Sequence, residues 1–113
     1  AIDKEDAGEP LVSTFADDPD IRELINMFVE NLQAQSKKIV QALDSNSLDS
    51  IGRITHQLAG SAGGYGFPTV TPAAKAVENN VNANADMPTL TGSIIELLRL
   101  CNRAEMVDLG DED

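Results

Sequence analysis

What this chain lacks narrows its reading before any motif is considered. It has one cysteine, Cys101, so no internal disulfide can form, and a reducing cytoplasm is the expected setting. No apolar run approaches the ~18–20 residues that span a bilayer, and no secretory signal pattern opens the chain, so no membrane partner is expected. Bases are scarce: 8 lysines and arginines stand against 19 acids, for a formal net charge of −11. No basic stripe exists, which argues against nucleic acid. The acidity is also uneven. Residues 1–20 hold seven acids and one lysine, residues 105–113 hold five acids and no base, and the stretch between is balanced at seven against seven. Acidic tails at residues 1–10 and 105–113, flanking one domain at residues 11–104, are therefore expected. The chain opens on Ala1 rather than Met, as a processed or excised piece would.

With 113 residues, 42% of them hydrophobic, there is material for one core and not for two. No strand-like alternation is present, but four helical patterns are. The first takes Asp18 as N-cap and Pro19 in its first turn, with Ile21, Leu24, Ile25, Phe28, Leu32, Ile39, Val40 and Leu43 as its stripe. Met27 is expected near that buried side. The second starts at Ser47, carries Leu48, Ile51, Ile54, Leu58 and Ala62, and stops among Gly63, Gly64 and Gly66. Thr69 or Thr71 caps the third, which carries Val70, Ala73, Ala74, Val77 and Val81. Residues 82–86 break the pattern, and a fourth helix begins around Pro88 with Leu90, Ile94, Leu97, Leu98 and Cys101. Short loops between amphipathic helices predict an all-α, antiparallel up-down-up-down four-helix bundle. A short turn or extra helix at residues 11–16 would cover one end.

The only histidine, His56, lies on the second helix, about 150° from the mean direction of its apolar stripe at ~100° per residue. Beside it run Gly52, Ala59, Gly60 and Gly63. A surface histidine is ordinarily just solvated. Glycine, however, costs ~1 kcal/mol against alanine inside a helix, so several in one helix need a reason. Close approach of another backbone or of a partner surface supplies one. One histidine and one cysteine in a core stripe do not make a metal site. Nor does the sequence offer a Ser-His-Asp arrangement.

The run His56, Gln57, Leu58, Ala59, Gly60, Ser61, Ala62, Gly63, Gly64, Tyr65, Gly66 and Phe67, followed by Val70 and later Val77 and Glu78, resembles the signature of histidine-containing phosphotransfer (HPt) domains of bacterial two-component phosphorelays. It is also similar to the phosphotransfer domain of chemotaxis kinases. The likeness extends from about residue 11 to residue 103. It implies that His56 accepts a phosphoryl group on Nε2, that Gly60 keeps the ring's surroundings open, and that Glu78 holds the imidazole through Nδ1–H. One departure stands out: the lysine that the family usually places three residues after the histidine is Ala59 here. Arg53, one turn before His56, and Lys75, one turn before Glu78, are the cations that could replace it, and Lys75 is the expected choice.

A docking face of Gly52, Arg53, Ala59, Gly60, Gly63 and Gly64 follows from the same resemblance, with Tyr65 and Phe67 packing inward. The implied partners are receiver domains of response regulators and a sensor histidine kinase. No nucleotide loop or Mg²⁺ cluster accompanies the histidine, so a monomeric phosphocarrier without cofactor or metal of its own is expected. The alternative is a helical module that docks on a receiver or kinase without being phosphorylated, and the same domain could also sit inside a larger kinase. The cognate partners and the direction of flow are not written in the sequence.

Overall fold

The computed structural model describes residues 9–107. Residues 1–8 and 108–113, most of both expected acidic tails, lie outside the described residues. Four helices account for the fold: α1 Arg22–Asp44, α2 Leu48–Ser61, α3 Val70–Asn82 and α4 Met87–Arg103. A single 3₁₀ turn, Gly63–Tyr65, follows α2. Each helix packs on the next, and α1 and α4 close the ring. The short loops force neighbours to run antiparallel, so the predicted up-down-up-down bundle is what forms.

Two of the three loops use one device. After α1, Asn46 takes a left-handed conformation at φ 59°, Ser47 N–H donates to Ala42 C=O and Asn46 N–H to Leu43 C=O. After α3, Asn84 does the same at φ 55°, with Ala85 N–H on Asn80 C=O and Asn84 N–H on Val81 C=O. Asparagine tolerates that region, and the paired bonds satisfy carbonyls the helix end would otherwise orphan. The chain then restarts at Asp86, whose carboxylate accepts from Thr89 N–H at 2.9 Å as a side-chain cap. Hydrogen bonding from Thr89, first its side chain and then its backbone N–H, lowers the Asp86 carboxyl from its ordinary value.

The start of α1 differs from the sequence expectation. Asp18 does not cap the helix, and Pro19 is not inside it: Asp18 Oδ1 accepts from Asp20 N–H at 3.0 Å, closing a local turn, and α1 begins at Arg22. Its buried face is Ile25, Phe28, Val29, Leu32, Ile39 and Ala42. Leu24, Met27 and Val40 are exposed, contrary to their assignment to the stripe or its edge. On α2, Thr55 is fully buried where Ile54 had been assigned and is only half so. Thr55 Oγ1 donates to Ile51 C=O at 2.9 Å, so its hydroxyl enters the core already bonded.

Residues 11–16 hold no helix: Leu11 pairs with Ala104 as an isolated bridge and a turn follows at residues 14–17. They lie over the corner that follows α2, where Thr14 N–H donates to Gly66 C=O and Ser13 Oγ to Tyr65 C=O at 2.7 Å. Gly66 sits there at φ +89°, and an added Cβ would strike Ser13 Oγ and approach Thr14 N to 2.7 Å. Under that corner Phe28 stacks on Tyr65 at 4.6 Å and on Phe67 at 5.9 Å between centroids, which places both aromatics in packing roles. Beyond α4 the chain is tied down. Leu11 N–H donates to Arg103 C=O, Glu105 N–H returns to Leu11 C=O, and the Asn26 side chain brackets the Val107 backbone at 2.6 and 2.9 Å. The described part of the C-terminal acidic stretch therefore rests on the bundle.

Candidate functional site

Helices α2 and α3 approach each other along small side chains. Thr71 Oγ1 reaches Ala59 C=O at 3.3 Å, and a Cβ on Gly52 would meet Val81 Cγ1 at an ordinary 3.5 Å. That seam brings His56 and Glu78, which are 22 residues apart in sequence, onto one rim. The burial of Ile51, Thr55, Leu58 and Ala62 turns His56 outward, and its side chain is 75% exposed. Glu78, beside the fully buried Val77, is held closer to the seam at 22%.

The two side chains meet at 2.8 Å between Nδ1 of His56 and Oε2 of Glu78. A carboxylate can only accept, so Nδ1 carries the hydrogen and, in the neutral ring, Nε2 keeps its lone pair. Orientation and tautomer are set by one contact. The outcome is an exposed nitrogen nucleophile on a rigid helix, with its opposite nitrogen anchored.

A cleft of about 530 Å³ opens beside the ring. Asp49, Gly52, Arg53 and Gln57 line it from α2, and Val81 and Asn82 from α3. Of the residues expected from sequence, His56, Glu78, Gly52 and Arg53 come together here. Lys75 does not: it is exposed on α3, one turn from Glu78, and is not among the lining residues. Arg53 donates from Nη2 to Ser50 Oγ at 3.2 Å. Gly60, Gly63 and Gly64 continue the exposed strip toward the C-terminal end of α2. Asp49, Gln57 and Asn82 belong to the cleft and were missed. For Asp49 a signal existed, since it lies seven residues before His56 and so on the same side of the helix.

The glycines now divide by role. A Cβ on Gly60 or Gly64 would meet nothing within 4 Å, and one on Gly63 only Thr71 Oγ1 at 3.8 Å. The fold does not need these residues to be glycine, whereas Gly66 is required by its backbone and its neighbours.

Among the described residues no group of three or more His, Cys, Asp and Glu side chains could hold a metal ion, and no helix is long and apolar enough to cross a membrane. No curated protein and no solved structure matches the chain. A family model described as the Hpt domain matches residues 23–107, which is most of the chain and all but the first residue of the bundle. An outward histidine anchored by a neighbouring helix in a four-helix bundle, under that match, makes this chain a member of the Hpt domain family, the histidine phosphocarriers of two-component phosphorelays.

Proposed function

We propose that His56 is the phosphorylated residue and exchanges its phosphoryl group with an aspartate of a response-regulator receiver domain. The observation that carries this reading is the 2.8 Å contact from His56 Nδ1 to Glu78 on a ring left 75% exposed. It leaves Nε2 as the one free nucleophilic atom of the ring, facing outward.

The transfer needs no proton to move. Nε2 attacks phosphorus, the bond from phosphorus to the aspartate oxygen breaks, and the aspartate departs as carboxylate. Nδ1 keeps its hydrogen, so the phosphorylated ring gains a positive charge that the Glu78 carboxylate balances. The reverse reaction runs through the same atoms. Mg²⁺ and the remaining catalytic groups are contributed by the receiver, which makes this domain a carrier with no turnover of its own.

Docking uses the face around His56: Gly52, Arg53, Ala59, Gly60, Gly63 and Gly64. That Gly60 and Gly64 have open space where a side chain would stand supports a partner surface, not the fold, as the reason for them. The test is incubation with a phosphorylated receiver. Label that survives base, is lost in acid and is absent from His56→Gln supports the proposal. No label from any receiver, with the receiver still bound, would leave an interaction module instead.

A further inference from the structure

A phosphoryl group arriving at Nε2 brings about two negative charges into a cleft whose lining already holds the carboxylates of Asp49 and Glu78. Glu78 is committed to Nδ1. A cation on the Nε2 side would offset that added charge, and three observations point to one. Arg53 is the one lysine or arginine among the described residues that line the cleft. The His56 ring shares its cleft with Gly52 and Arg53 of the preceding turn and not with Ala59, in keeping with the tilt of helical side chains toward the N-terminus. Among the described residues the His56–Glu78 contact is the one ion pair, so no described carboxylate holds Arg53. Its recorded side-chain bond, to Ser50 Oγ at 3.2 Å, uses one of five N–H donors and is long for a hydrogen bond.

We propose that Arg53 binds the oxygens of the phosphoryl group on His56, taking over the charge neutralisation in this domain. A guanidinium on the same helix, one turn away, can present two parallel N–H groups to two phosphoryl oxygens. In the unphosphorylated domain it bonds Ser50, which lies outside the lining of the cleft, and arrival of the anion draws it into the cleft. Lys75, on the other helix and outside the lining residues, is not used in this way.

This inference rests on His56 being the phosphoacceptor, and the experiment separates the two. Label transferred from a phosphorylated receiver is followed at several receiver concentrations, and the lifetime of the isolated phosphohistidine is measured afterwards. If the wild-type domain takes no label, the reading of His56 itself fails. With wild-type label in hand, Arg53→Ala is expected to lower the saturated transfer rate roughly ten- to hundredfold, the range for one lost hydrogen bond to a charged group. Arg53→Lys should recover part of that rate. The phosphohistidine lifetime should change in Arg53→Ala and move back toward wild type in Arg53→Lys. Lys37→Gln, a charge loss on the far side of the bundle, should match wild type. Three results would overturn the proposal: Arg53→Ala raising only the half-saturating receiver concentration, which marks a docking contact; no change in rate or lifetime; or Lys75→Ala producing the loss in its place.

Discussion

Two seams of this bundle enclose clefts of nearly equal size, about 530 Å³ between α2 and α3 and about 570 Å³ between α1 and α4. They differ in what lines them. The α1–α4 groove is walled by Val40, Ile95 and Leu98, with Lys37 and Arg99 at its edges and no acid among its lining residues. The α2–α3 cleft has two carboxylates, one arginine and an imidazole whose orientation a neighbouring helix fixes. Volume and apolar wall favour the first, but it presents no anchored nucleophile. What marks the second as the candidate site is a constraint: a long, freely rotating side chain offers many geometries, whereas a ring held at Nδ1 offers few.

The comparison can be broken at several points. The largest effect is expected for His56→Gln, which should abolish transfer while leaving the melting temperature unchanged, since the side chain lies outside the core. Scintillation counting and thermal denaturation check the two halves. Next, Glu78→Ala should cost roughly tenfold or more in transfer rate, and Glu78→Gln less, because an amide oxygen can still accept from Nδ1–H. Equal rates in both variants and wild type would show that the anchor does not matter.

A third test contrasts two glycines. Gly66→Ala should destabilise the fold by about 1–3 kcal/mol, through its positive φ and the crowding at Thr14. Gly60→Ala, with open space around it, should stabilise α2 by up to ~1 kcal/mol and yet not speed transfer. Urea denaturation reads both.

A smaller effect concerns Cys101, in the core of α4, whose thiol burial pushes up from 9.0 to about 11. In the unfolded chain this thiol ionises first while the folded one stays protonated. The sign follows: stability is full below pH 9 and declines as pH rises through the interval up to about 11. Comparing melting temperatures of wild type and Cys101→Val across that interval isolates the contribution. The smallest effect is predicted for Val40→Gln with Ile95→Gln. If the α1–α4 groove takes no part in transfer, the rate should stay within about twofold of wild type. A larger loss would mean that the two seams are coupled.

Much of the architecture is legible in the sequence, and the failures have causes. Helix number and the breaks between helices follow from a 3.6-residue period interrupted by Gly, Pro and Asn, which act locally. Which member of an apolar pair turns inward does not follow. Leu24 and Val40 fit the stripe by spacing, but the bundle buries Val29 and Ala42 in their stead, because neighbouring helices cover only part of α1. Thr55 does not register in an apolar stripe, although a threonine that bonds its own preceding turn enters a core at little cost. Asp18 looked like a cap, and its carboxylate closes a turn two residues on.

His56 was visible from the start as the only histidine, placed opposite an apolar stripe by helical period alone, and the glycines around it marked an open face. Those are one-dimensional properties, settled by spacing along a single helix. The partner of its ring and the exclusion of Lys75 from the cleft are not of that kind. Glu78 approaches because α3 packs antiparallel on α2. Arg53 stands one turn from His56 by helical spacing alone, but that Lys75 stays off the wall of the cleft depends on that packing. The approach of Glu78 and the exclusion of Lys75 are fixed by the offset of one helix against another, which depends on how the whole core closes and cannot be read from either helix alone.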